Sequence, residues 1–268
     1  MIDNRAIGIF DSGLGGLTAL SALRELMPGE NIIYFADSAR VPYGAKSKKE
    51  LMAMARQDLE LMASFSVKLI IAACGTVSSN ASRILESFPV PTVGVLKPGI
   101  RDMSLIPGEA PLGIIATQAS IRAGAFRREL ERLCPGREII DLPCPRFVPL
   151  IESGHTGEDD PELKKAVEDS LAAAKEAGIA ALLLGCTHYG LIAPAINAFL
   201  GEDVKLVSAS RSAARAACLR LEQNGLTGGS GETLYYTSGD AGEFSAAASR
   251  LLARDIKARQ LPVMEIKS

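Results

Sequence analysis

The chain has 268 residues, 47% of them apolar, enough for one large or two medium domains whose cores need no disulfide or metal staples. Its 29 Lys and Arg against 31 Asp and Glu leave a net charge of −2, which removes the electrostatic case for nucleic acid as main partner and makes a small-molecule substrate the simpler expectation. The longest apolar run, 177–186, is ten residues, half of the ~20 that a membrane-spanning helix needs, and Met1-Ile2-Asp3-Asn4-Arg5 lacks the regions of a secretory signal, so no membrane partner is expected.

The first predicted element is a strand over 6–10, followed by Asp11-Ser12-Gly13-Leu14-Gly15-Gly16 and a helix whose apolar face carries Leu17, Leu20 and Leu23. A glycine-rich strand-to-helix turn offers backbone N–H groups to an anion, or simply caps its helix. This one is neither a dinucleotide fingerprint nor a Walker loop, because the glycine spacing fails and no Gly-Lys-Ser/Thr follows. A strand over 32–36 leads to Val41-Pro42-Tyr43-Gly44, a loop able to set backbone amides over a cleft or to serve as a plain turn. Ser47 and Glu50 form a capping box that starts a helix burying Leu51, Ala55, Leu59 and Met62 and ending near Phe65. Strands over 69–73 and 90–96 complete the first half.

The second half opens with a strand over 112–116 before Thr117-Gln118-Ala119-Ser120, whose hydroxyls either bind a carboxylate or cap the next helix. A strand over 138–142 follows, then a helix capped by Asp160 with Pro161 in its first turn, burying Leu163, Val167 and Leu171 and stopping at Gly178. Strands over 179–184 and 204–207 come next. The stretch 225–231 reads as a flexible loop, and a strand over 234–236 with a helix to about Ile256 closes the chain.

Strands alternating with helices give an α/β class in which mainly parallel sheets are covered by helices on both faces. A weak internal repeat divides the chain: residues 7–12 recur as 112–117, and 69–76 as 181–188. Two pseudo-symmetric domains follow, with the candidate active site in the cleft between them, because parallel sheets bind ligands at the C-terminal edges of their strands.

Five cysteines without a C-x-x-C pair argue against a disulfide framework and fit a reducing, cytoplasmic setting, and with only two histidines no metal site is expected. Cys134, Cys144 and Cys218 read as small buried hydrophobes. Cys74 and Cys186 differ, since each ends a matching strand and each precedes polar groups, Gly75-Thr76 and Thr187-His188. Two thiols facing one cleft from opposite sides suit a reaction that removes a proton from one face of a carbon and returns one to the other, with no cofactor. The thiol reference pKa of ~8.5 lies near operating pH, and a site can lower it. His188 is placed to share a proton with Cys186, and Asp11 to hold a substrate ammonium or a proton beside Cys74.

Together Gly8-Ile9-Phe10-Asp11-Ser12-Gly13-Leu14-Gly15-Gly16, Pro42-Tyr43-Gly44, Ala73-Cys74, Cys144-Pro145-Arg146-Phe147-Val148-Pro149-Leu150 and Gly185-Cys186-Thr187-His188-Tyr189 resemble the glutamate racemases of the aspartate/glutamate racemase superfamily, which supply D-glutamate for bacterial peptidoglycan. The resemblance implies a first domain built from 1–97 plus 209–268 and a second from 98–208. It implies that Cys74 takes the proton from the D-enantiomer and Cys186 from the L-enantiomer. Asp11, Ser12, Tyr43, Gly44, Gly75, Thr76, Thr117, Ser120, Thr187 and His188 would line the substrate, with Glu152 as an auxiliary acid near His188. Gly75 replaces the usual asparagine, Ser208-Ala209 the usual Asp-Ser and Gly190 the usual proline, with Ser78, Ser79 and Asn80 as candidates to restore the lost amide contact. The alternatives are a racemase of another acidic amino acid such as aspartate, a related decarboxylase, a cysteine hydrolase, and a non-catalytic binding protein on a racemase scaffold. A homodimer is the assembly considered.

Overall fold

The computed structural model describes residues 3–262; Met1 and Ile2 of the N-terminal stretch read above, and residues 263–268, lie outside it. Along the chain run β1 (Ile7–Asp11), β2 (Ile32–Ala36), β3 (Leu69–Ala72), β4 (Thr92–Gly94), β5 (Leu112–Ala116), β6 (Ile139–Pro143), β7 (Ala181–Leu184), β8 (Lys205–Ser208), β9 (Thr233–Thr237) and β10 (Ala258–Gln260). Among the described residues they form a six-stranded sheet in the order β10-β9-β2-β1-β3-β4 and a four-stranded sheet in the order β6-β5-β7-β8. Every pairing is parallel, as the alternation of strands and helices requires.

The strands β1, β2, β3, β5 and β7 are buried at every position, because helices cover both faces of each sheet. That is why they read as continuous apolar runs rather than as alternating ones. The expected run 90–96 shortens to Thr92–Gly94, since Leu96 already opens the helix Leu96–Ser104. The strand Ala258–Gln260 was not expected; its three half-exposed or exposed residues carry no apolar pattern, and pairing with β9 alone defines it.

One core joins the two sheets. Ile9, Leu20 and Ile71 belong to the same apolar cluster as Ile114 and Leu183, linked through Ile100 and Met103 of the helix Leu96–Ser104 and Ala213 and Ala217 of the helix Ala209–Gln223. Separate clusters lie outside it, one under the helix Lys48–Ser64 and one under the helix Pro161–Glu176. Both of these helices start as expected: Ser47 and Glu50 make both bonds of the capping box, and Asp160 Oδ1 accepts from Glu162 N and Leu163 N at 2.9 Å.

The stretch 225–231 departs from its reading as a flexible loop. Gly228 N donates to Glu30 Oε1 at 2.8 Å, Ser230 N to Asn31 Oδ1 at 3.0 Å and Gly231 N to the Gly29 carbonyl at 3.0 Å. Its glycines serve close approach rather than looseness: a Cβ on Gly229 would lie 2.6 Å from Asn31 N. No helix among the described residues is long and apolar enough to cross a membrane.

Candidate active site

Four strand ends meet where the two sheets face each other: β1 delivers Asp11 to Gly16, β3 Cys74 to Thr76, β5 Thr117, and β7 Cys186 to His188. Their loops touch. A Cβ on Gly15 would stand 2.3 Å from Thr187 Oγ1 and 2.4 Å from His188 Nδ1, and one on Gly75 would stand 2.0 Å from the Gly185 carbonyl oxygen. Glycine at both positions therefore lets the backbones of the two halves come this close. Thr18 Oγ1 fastens the same junction by donating to the Thr187 carbonyl at 3.1 Å.

Asp11 is fully buried, and its Oδ2 accepts from Gly13 N at 3.2 Å and Gly16 N at 2.9 Å. The turn's free amides thus receive an anion, but that anion is the chain's own carboxylate. Its Oδ1 accepts from Thr187 Oγ1 at 3.4 Å across the junction. Thr76 and Thr117 hydroxyls meet at 3.0 Å, and Ser79 Oγ reaches Ser120 Oγ at 3.2 Å, so a chain of hydroxyls ties the helix Gly75–Asn80 to the helix Gln118–Ala123.

Between the halves lies a cavity of about 630 Å³. Its lining includes both Cys74 and Cys186, together with Ser12, Tyr43, Gly44, Gly75, Thr76, Thr117, Glu152, Thr187 and His188. Asp11 and Ser120 stand one layer behind it. Of the candidates to replace the asparagine amide none reaches the cavity: Ser78 Oγ donates to the Ala72 carbonyl, Ser79 Oγ to the Gly75 carbonyl and Asn80 Nδ2 to the Thr76 carbonyl.

Arg122 lines the cavity without having been singled out in the sequence; Gln118, four residues earlier on the same helix face, lines it too, and that spacing was the available signal. Cys144, read as core filler, is buried but also lines the cavity, because Pro145 and the helix Phe147–Glu152 bring it there. Cys134 and Cys218 lie elsewhere. His155 pairs with Asp160 at 2.8 Å, away from the cavity.

The Asp/Glu/Hydantoin racemase family profile matches residues 18–217. A glutamate racemase from Desulforudis audaxviator is 37% identical over 97% of both chains. Among solved structures, a glutamate racemase isoform from Bacillus anthracis superposes with a TM-score of 0.91 at 28% identity over 97% of this chain and 99% of that one. The Francisella tularensis glutamate racemase in complex with D-glutamate superposes at 0.88 with 32% identity over 97% and 98%. The chain belongs to the Asp/Glu/Hydantoin racemase family.

The electrostatics of this racemase-family cleft are unequal at its two thiols. Burial, followed by the Asp11 charge, pushes the Cys74 thiol up to about 12, so the protein's own groups raise this thiol rather than lower it as expected. Cys74 Sγ lies 3.8 Å from Ser12 Oγ. Beside Cys186 sits His188, with Nδ1 3.8 Å from Sγ and Nε2 3.1 Å from Glu152 Oε1. Burial alone would lower this imidazole, but Cys186 and Glu152 outweigh it and raise its pKa to about 10. One side of the cleft therefore presents a neutral thiol, and the other a sulfur next to an imidazolium. Among the described residues no three His, Cys, Asp or Glu side chains gather in a metal-holding group.

Proposed function

We propose that this chain is a glutamate racemase, interconverting L- and D-glutamate without a cofactor through Cys74 and Cys186. The observation that carries the reading is that both thiols line one cavity. The match to a racemase structure holding D-glutamate supports the choice of substrate.

In the L-to-D direction Cys186 takes the Cα proton onto sulfur, the electron pair left on Cα spreads into the α-carboxylate, and the Cys74 thiol delivers its proton to the opposite face. One proton leaves and one arrives. The turnover leaves Cys186 as thiol and Cys74 as thiolate, the state from which the D-to-L direction starts. A Cys74 thiol held up near 12 is protonated at neutral pH, which suits the donor of the first direction. Asp11, which raises it, is offset when the substrate ammonium comes near. His188 keeps a proton within 3.8 Å of Cys186, with Glu152 holding the far side of its ring.

Hydroxyls of Ser12, Thr76, Thr117 and Thr187 and the backbone at Gly44 orient the carboxylates, and Arg122 supplies the fixed positive charge that a dicarboxylate favours. The units 1–97 with 209–268, and 98–208, meet around the substrate. A cytoplasmic homodimer that supplies D-glutamate for the cell wall, with no nucleic-acid or membrane partner, completes the reading.

Incubation with each enantiomer of glutamate in deuterated water tests it. Racemisation with solvent deuterium incorporated at Cα is expected, and neither Cys74→Ala nor Cys186→Ala should racemise. Turnover by either single variant at near the parent rate would refute the two-thiol scheme, and faster racemisation of aspartate than glutamate would refute the substrate.

A further inference from the structure

The cleft wall at Pro42-Tyr43-Gly44 is held from behind by a buried polar cluster that the reaction above does not use. The Tyr43 hydroxyl touches two carboxylates at once, donating to Asp37 Oδ2 and lying 3.1 Å from Asp58 Oδ2. Arg40 spans the same pair, with Nε 2.5 Å from Asp37 Oδ2, Nη2 2.7 Å from Asp58 Oδ1, and Nη1 donating to Gln57. Asp37 also accepts from Ser238 Oγ at 2.8 Å. Both aspartates are 0% exposed, and among the described residues Arg40 is the only cation within 4.0 Å of either.

Proton counting decides how this cluster is charged. A phenol has one proton to give. Once it goes to Asp37, the Tyr43 oxygen can only accept from Asp58 Oδ2. An ionised Oδ2 would face oxygen lone pairs in a site closed to water, and would leave two buried anions with one cation between them, so that one buried charge lacks its own counter-ion. A protonated Oδ2 instead donates to Tyr43, and the cluster becomes neutral: Arg40 against Asp37, which collects donors from Arg40, Tyr43 and Ser238.

We propose that Asp58 is a neutral carboxylic acid at physiological pH and acts as a positioning residue, its proton locking Tyr43 and thereby the Gly44 segment that faces the substrate. The proposal rests on the reading of the cleft as the glutamate site. Burial, and then the neighbouring charge of Asp37, push Asp58 well above the ordinary carboxylate range, in the same sense as the geometry. The titratable and charged groups that act on Asp58 are Asp37 after β2, Arg40 from the turn Ser38–Arg40 and Tyr43 from the turn Tyr43–Ala45, and Gln57 of its own helix accepts from Arg40. As pH rises and the proton leaves, a second buried anion appears without a counter-ion, and the Gly44 wall shifts from the substrate.

Two measurements on the full chain test this. Infrared spectra at neutral pH should contain a protonated-carboxyl C=O band that Asp58→Asn removes. Because asparagine keeps an acceptor for Arg40 and a donor for Tyr43 but has no proton to lose, Asp58→Asn should hold KM within about twofold of the parent at neutral pH and abolish the alkaline rise in KM, while Asp58→Leu raises KM about tenfold or more with a smaller change in kcat. Asp37→Asn, which strips the charge that Arg40 needs, should be more damaging than Asp58→Asn. A spectrum unchanged by Asp58→Asn, an alkaline rise that survives in it, or a KM as poor as that of Asp58→Leu would each overturn the assignment. The infrared readout needs no substrate, so it stands or falls separately from the identity of the substrate.

Discussion

Gly75 illustrates how a single residue sets the spacing of this cleft. Its place is usually asparagine in the glutamate racemases that the sequence resembles, yet here a Cβ would meet the Gly185 carbonyl oxygen at 2.0 Å and Cys186 Cα at 3.6 Å. Because the contact is backbone, no side chain can swing away to relieve it. Gly75→Ala should therefore force the strand-end loops apart, destabilising the fold by about 1–3 kcal/mol and raising KM. Thermal unfolding and steady-state kinetics would reveal this, and a variant with parental Tm and KM would show that the loops are not confined there. The thiols, the hydroxyl residues and His188 were legible in the sequence by type and by position after a strand. Arg122 and the cavity-facing part of Cys144 were not, since an isolated arginine on a short helix and a cysteine in an apolar segment look alike whether or not they border a cavity.

Helices and strands follow local rules closely here. The capping box at Ser47 and Glu50 and the Asp160 cap with Pro161 behind it form the bonds that their spacing demands. Ser47→Ala and Asp160→Ala should each lower stability by about 1 kcal/mol, read as a shift of the urea midpoint at constant slope; a change in slope would mean that more than the helix end was affected. Elements whose definition depends on partners were harder to place. The strand β10 exists through its ladder to β9, and β4 is cut short by the helix that begins at Leu96. The glycines of 225–231 suggested freedom, yet bonds to Gly29, Glu30 and Asn31, far away in sequence, hold the stretch in place.

For the whole molecule the buried titratable groups of the cleft link stability to pH. His188 has its pKa raised from 6.5 to about 10, so its stabilising contribution is complete below pH 6.5 and is lost as pH rises through about 10. Cys74, raised from 9.0 to about 12, adds a further loss at higher pH. Unfolding free energy from denaturant titrations should fall between pH 6.5 and 10, and His188→Asn should flatten that slope; a slope unchanged in the variant would assign the loss elsewhere. By itself the sequence determined the α/β class, the repeated strand-to-cysteine pattern and the polar residues beside each thiol, because these depend on periodicity and spacing within a few residues. Only the tertiary structure decided that Asp11 touches Thr187, 176 residues away, and that Thr76 meets Thr117 across 41. It also decided that Tyr43 is wedged between two aspartates. Such contacts join distant segments whose approach is governed by the packing of the shared core, and no local pattern encodes them.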